Sequence, residues 1–128
     1  MTKDPRIYLA HILEHAARIE RYIRDGHDAF LTDHKTQDAV IRNFEVIGEA
    51  AKRVTAEFRE THPSIPWRVM AAFRDVLIHG YEGVDINKVW TTATEDLPAV
   101  RAAIAAILPP IEQLELELRR PASEPPQE

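Results

Sequence analysis

The sequence predicts an all-α fold: an antiparallel helical bundle of four to five helices, followed by a disordered C-terminal tail. Three observations carry this. Apolar residues recur at three- and four-residue steps over most of the chain. Proline, glycine and aspartate fall where helices should begin and end. No segment alternates polar and apolar residues well enough to build a sheet, which leaves helix packed on helix.

Asp4 followed by Pro5 reads as an N-cap with proline in the first helical position, where its missing N–H is no loss. Leu9, Ile12, Ala16, Ile19 and Ile23 then share one face until Gly26 ends the first helix. Asp33 caps the second, whose seam of Val40, Phe44, Ile47, Ala51, Val54 and Phe58 ends before HPSIP, His62 to Pro66. Pro66 and Trp67 open a shorter third helix with Met70, Phe73 and Leu77 inward, and Gly80 and Gly83 mark its end. Asp85 caps a fourth, with Val89, Leu97, Val100, Ile104 and Leu108 on its inner face. Pro98 lies inside that helix and should kink or split it, because proline removes one backbone hydrogen bond and crowds the preceding turn. Pro109 and Pro110 stop it, and IEQLELELRR, Ile111 to Arg120, is either a further short helix or a strand-like arm.

At 128 residues the chain suits one domain, long enough to bury a core without staples. That domain spans residues 1–120; PASEPPQE, Pro121 to Glu128, has almost nothing to bury and reads as the disordered tail. There is no cysteine, so thiolate metal sites and cysteine nucleophiles are excluded. The opening MTKDPRIY has no apolar core of a signal peptide, and no stretch approaches the roughly 18 apolar residues of a membrane span. A cytoplasmic protein with no membrane association is expected. The net charge of -5 argues against a general nucleic-acid coat, though not against a small local site.

With only four glycines, at 26, 48, 80 and 83, the chain holds neither a P-loop nor a dinucleotide fingerprint, and no cofactor is expected. HILEH, His11 to His15, matches the inverted zinc-peptidase pattern. A peptidase needs a further ligand and a substrate cleft, so a solvated or subunit-contact flank is the preferred reading and no metal site is assigned.

The stretch RDVLIHGYEG, Arg74 to Gly83, gathers Arg74, Asp75, His79 and Tyr81 at the end of the third helix. If Gly80 is the residue after the cap, His79 lies in the last turn, where exposed carbonyls favour its protonated form. Asp75, four residues earlier, is on the same face and can orient the ring. Arg74 leaves on a different azimuth, so it converges with His79 on one ligand only if the terminal turn unwinds or a second subunit closes the site. That geometry predicts a homodimer.

These groups suit metal-independent cleavage of RNA. The 2′-hydroxyl must lose a proton as it attacks phosphorus, the leaving 5′-oxygen must gain one, and the charged phosphorane needs a fixed cation. His79 supplies acid or base, and the planar fork of Arg74 can hold two phosphate oxygens. In a twofold dimer, two copies of His79 divide the acid and base roles. An arginine followed five residues later by a histidine also arises by chance, and then marks only a solvated helix end.

The chain as a whole resembles a HepT-type protein of the HEPN superfamily, the toxin half of the MNT-HEPN toxin-antitoxin systems. The resemblance rests on DPRIYLAHILEHAARIERYI, KTQDAVIRNFEVIGEAAKRV, PSIPWRVMAAFRDVLIHGYEGVD and VWTTATEDLP, in that order, and on an R-x4-H-x-Y signature at Arg74, His79 and Tyr81. It implies a toxin of type VII-like systems, a ribonuclease working as a homodimer with Arg74 and His79 at the interface. It also implies neutralisation by a small MntA-like nucleotidyltransferase antitoxin that transfers AMP to Tyr81. Asp75 takes the place of the polar residue after the arginine, where many relatives have asparagine; an aspartate adds a negative charge beside the scissile phosphate.

Other residues carry weaker signals. Asn43 and Glu49, among apolar neighbours on the second helix, either support the site or belong to a solvated flank. Trp67 and Trp90 read as core or interface anchors before base-stacking platforms. Arg18, Arg21 and Arg24 read as a solvated face before an RNA-approach surface. The competing reading of the whole is a non-catalytic helical subunit that binds the nucleotidyltransferase and a nucleotide, with Arg74 and His79 only gripping phosphate.

Overall fold

The computed structural model describes residues 4–78, 83, 85–109 and 111–119, with backbone alone for 75–78, 111, 112 and 114. The expected tail, residues 121–128, lies outside the described residues, as do Gly80 and the side chain of Leu77. Helices and turns account for all the regular structure among the described residues.

Helix α1, Pro5–Tyr22, starts as its sequence dictates: the Asp4 carboxylate accepts from the Arg6 N–H at 2.9 Å, and Pro5 occupies the first turn. Leu9, Ile12, Ala16 and Ile19 are buried, while Ile23 is half-buried just beyond the helix. Gly26 has φ 98°, a left-handed conformation that favours glycine, and it opens a short helix absent from the sequence reading: α2, His27–Thr32. Buried Phe30 anchors α2, and the Gln37 amide donates to the carbonyls of Phe30 (3.0 Å) and Leu31 (3.2 Å) that the helix end leaves unpaired.

Helix α3, His34–Arg53, is capped by Asp33, whose carboxylate accepts from the N–H of Lys35 and of Thr36. It stops at Arg53, five residues short of Phe58, which corrects the single long second helix expected from the apolar seam. Val54 and Thr55 are extended, and the Thr55 hydroxyl accepts from the Phe58 N–H at 3.2 Å to start α4, Ala56–Thr61. A threonine that caps the next helix competes with continuing the last one. Phe58 still packs, stacking on the His62 ring at 4.2 Å and meeting the Trp67 ring edge-on at 6.3 Å.

Helix α5, Trp67–Ile78, buries Met70 and Phe73 and packs against α3, with Phe73 edge-on to Phe44 at 5.0 Å. Asp85 caps α6, Ile86–Thr91, through the N–H groups of Asn87 and Lys88. The next five residues, Thr92–Asp96, form a π-helical turn, in which the Leu97 N–H bonds the Thr92 carbonyl, before α7, Leu97–Ala105. This is how the chain accommodates Pro98: the widened turn sits where an α-helical bond to the Pro98 nitrogen would be missing. Helix α8, Ile111–Leu118, settles the last segment as a helix, and Arg6 ties it back to α1 through Glu117 at 2.6 Å.

Helix α3 is the centre of the bundle, with α1 and α5 packed against it, α7 against α1, and α2 bridging α3 and α6. Among the described residues, one core of nineteen buried apolar side chains runs through these contacts. Among the described residues no helix is long and apolar enough to cross a membrane.

Candidate functional site

The site is built where α5 crosses α3. A Cβ added at Gly48 would come within 2.9 Å of Arg74 Cβ, 3.3 Å of Arg74 N and 3.4 Å of Met70 O. Only glycine allows the two backbones to approach this closely, and the approach fixes where Arg74 leaves α5. The Arg74 side chain then reaches back over α3 to Glu49, with Nη1 at 2.5 Å from Oε1. Both side chains remain about half open to solvent, 40% and 45% exposed. A pair in that setting contributes little to stability. Its effect is to hold the guanidinium fork at one place on the surface while leaving further N–H groups facing outward.

Of the sequence-predicted residues, the fold therefore brings Arg74 and Glu49 together. Asn43 goes elsewhere. It is 7% exposed, its Nδ2 donates to the Ala39 carbonyl at 2.7 Å, and its Oδ1 lies 2.6 Å from His15 Nδ1. Because Nδ2 is committed to a carbonyl, Oδ1 faces the imidazole and His15 Nδ1 carries the donated proton. Asn43 is thus a tie between α3 and α1. The same bond occupies one ring nitrogen of His15, the second histidine of HILEH, while His11 is exposed. Among the described residues no three histidine or carboxylate side chains cluster as a metal site.

Asp75 lies in α5 next to Arg74, but its side chain is outside the described residues, as are His79 and Tyr81 altogether. The expected Asp75 to His79 contact belongs with them. Trp67 and Trp90 are both half-buried anchors: the Trp67 Nε1–H donates to the His62 carbonyl at 3.0 Å, and Trp90 packs between His27 at 4.9 Å and Phe30 at 5.4 Å. Arg18 pairs with Glu14 at 2.9 Å, and Arg21 and Arg24 are exposed. The sequence reading missed the role of Gly48. The available signal was a glycine in the interior of a helix, unfavourable unless packing needs it.

Comparison with known proteins places the chain. Residues 12–107 match the family described as ribonuclease HepT-like. A protein named "Probable ribonuclease HepT" from Thermococcus cleftensis is 46% identical over 102 residues, covering 79% of this chain and 93% of that protein. A "Putative RNase" from Caldanaerobacter subterraneus subsp. tengcongensis is 39% identical over 107 residues, covering 83% of this chain and 96% of its own. A Methanocaldococcus jannaschii protein named both gamma-glutamylcyclotransferase and RNase is 46% identical over 109 residues; the match covers 84% of this chain but only 49% of that longer protein. No solved structure matches. With three quarters of its length in the family match and relatives of this identity along nearly their whole length, the chain belongs to the ribonuclease HepT-like family of the HEPN superfamily.

Proposed function

We propose that this protein is a metal-independent endoribonuclease, the toxin of a HEPN/MNT toxin-antitoxin pair, acting as a homodimer. The observation that carries the reading is Arg74: a half-exposed guanidinium, set by the Gly48 crossing and steadied by Glu49, one turn before α5 ends at Ile78 and His79 follows. Membership of a ribonuclease-named family supports the same assignment.

In the proposed reaction one His79 takes the proton of the 2′-hydroxyl as its oxygen attacks the adjacent phosphorus. Arg74 neutralises the added charge on the non-bridging oxygens. The phosphorus to 5′-oxygen bond breaks, the second subunit's copy of the same histidine protonates the leaving oxygen, and a 2′,3′-cyclic phosphate and a 5′-hydroxyl remain. Asp75 orients the imidazole. Control comes from an MntA-like nucleotidyltransferase that moves AMP from ATP to the Tyr81 hydroxyl, with pyrophosphate leaving. The added phosphate competes for the Arg74 cation and the adenosine obstructs the cleft.

The test is incubation of purified protein with total cellular RNA in EDTA beside a His79→Ala protein. Cleavage by the parent alone is expected, and equal cleavage by both sinks the catalytic assignment. RNA left intact by the parent, with nucleotidyltransferase binding retained, would instead favour the non-catalytic subunit. Co-expression with the antitoxin should add one AMP to the wild-type mass and none to Tyr81→Phe; equal increments would defeat the tyrosine assignment.

A further inference from the structure

Two turns before Arg74, on the same side of α5, the surface carries a second group of side chains suited to a nucleotide. An open cleft of about 310 Å³ is lined by Ala56, Arg59 and Glu60 of α4 and by Trp67 and Arg68 of α5. The indole is fixed there, by its N–H on the His62 carbonyl at 3.0 Å and by the edge-on Phe58 ring, yet it is only half-buried. Among the described residues neither Arg59 nor Arg68 has an ion-pair or hydrogen-bond partner for its guanidinium, in contrast to Arg6, Arg18, Arg42, Arg74 and Arg101. Among the described lining residues Glu60 is the one carboxylate, against two arginines, which gives that lining a net positive charge in a chain of net charge -5.

An immobilised aromatic face between unpaired cations is the combination that single-stranded nucleic acid uses, with bases stacking on the ring and phosphates following the charge. An acidic protein segment would use the two arginines but gain little from the indole. Trp67 and Arg74 are seven residues apart in one helix, hence on one face and about 10 Å apart along the axis. A stacked strand covers that in about three nucleotides at ~3.4 Å each.

We propose that the cleft around Trp67, Arg59 and Arg68 is a second RNA subsite, holding a nucleotide about three positions from the phosphate at Arg74, with its base on the indole and its phosphates on the two guanidinium groups. The proposal rests on the ribonuclease reading and makes α5 the rail along which the strand lies.

The experiment measures kcat/KM and salt dependence on a single-stranded 12-nucleotide RNA for the full-length parent, Arg74→Ala, Arg59→Ala/Arg68→Ala and Arg59→Lys/Arg68→Lys. The double alanine protein should lose about tenfold or more in kcat/KM, because both phosphate contacts go while the Trp67 face stays. Its slope of log affinity against log salt should flatten by about 1.4, from ~0.7 per lost phosphate contact. Helicity should be unchanged, and the lysine pair should recover most of both losses. In a Trp90→Phe background Trp67 is the sole tryptophan, and saturating RNA should quench its emission. Parental kcat/KM and slope in the alanine pair, or unquenched emission, overturns the subsite while leaving the ribonuclease reading intact. If the parent and Arg74→Ala fail alike to act on RNA, both fall. Loss of nucleotidyltransferase binding with parental RNA cleavage would reassign the cleft as a protein contact and also overturn it.

Discussion

Gly48→Ala separates the role of the α3–α5 crossing from helix stability. The substitution removes the flexibility penalty of an interior glycine, a gain of about 0.8–1.0 kcal/mol. Against this, the new methyl group meets Arg74 Cβ at 2.9 Å and backbone atoms at 3.3 and 3.4 Å, none of which can rotate away. Helix α5 must retreat by about 0.6–1 Å to bring the closest pair to the ~3.5–4.0 Å of ordinary contact. Overpacking of that kind costs about 1–3 kcal/mol. The net effect is a loss of roughly 0–2 kcal/mol, or a fall in Tm of up to about 10 °C for a chain of this length. Activity should suffer more than stability. The displaced element carries Arg74, and a misplacement of ~1 Å at a reacting centre can cost about 100-fold. Thermal unfolding by circular dichroism and RNA cleavage on the same preparation form the assay. If the variant is more stable by the full propensity gain and cuts RNA at the parental rate, the helices are not in close approach at residue 48.

Arg74→Ala and His79→Ala should each abolish RNA cleavage in EDTA, and the double variant should cost little more than either, because the two act on one phosphate; additive losses in single-turnover rates would contradict a shared step. Asn43→Ala leaves the His15 Nδ1–H without its partner in the α1–α3 contact, while the Ala39 carbonyl keeps its helical backbone bond, and should cost about 1–3 kcal/mol in urea titrations; an unchanged midpoint would mean that water replaces the lost bond. The Arg6 side chain, bonded to Asp4, holds that carboxyl below its usual 3.8. A depressed folded pKa stabilises above the unfolded value and is lost as pH falls through the folded one. Asp4→Asn should therefore lower Tm at pH 7, with the deficit shrinking as pH falls below the usual 3.8 and on through the lowered folded pKa; a deficit that stays constant with pH would show that the carboxylate charge does not carry the effect.

The helices were legible because their signals are local. Asp4, Asp33 and Asp85 all cap as their sequence context implies, and every apolar seam residue of α1 through Ile19 is buried. The misreadings arose where tertiary packing outweighs periodicity. The seam through Val54 and Phe58 continues across a break, because Phe58 reaches the core from a separate helix that Thr55 starts. Helix α2 is too short to show a period, and it is held by Phe30 and by a glutamine on the next helix. Asn43 and Glu49, both polar residues on α3, could not be told apart by sequence. They lie six residues apart, on different azimuths, and only the neighbouring helices decide that Asn43 meets α1 while Glu49 meets Arg74.

That last contact bears on how the site works. Glu49 and Arg74 are each about half open to water, so their attraction is largely screened and the pair is cheap to open. A buried partner would have held the guanidinium against any ligand, since separating a desolvated pair leaves a charge stranded. On the ribonuclease reading, an incoming phosphate faces a cation already placed by the Gly48 crossing and retained by a carboxylate it can outbid or share. Arginine suits this better than lysine. Its fork can keep one N–H on Glu49 while presenting others to a phosphate, whereas a single ammonium must serve both from one point. Arg74→Lys should accordingly keep the charge but lose most of the cleavage rate, with RNA affinity falling less than turnover. A lysine variant with the parental rate would reduce Arg74 to a point charge and remove any reason for Glu49 to sit beside it.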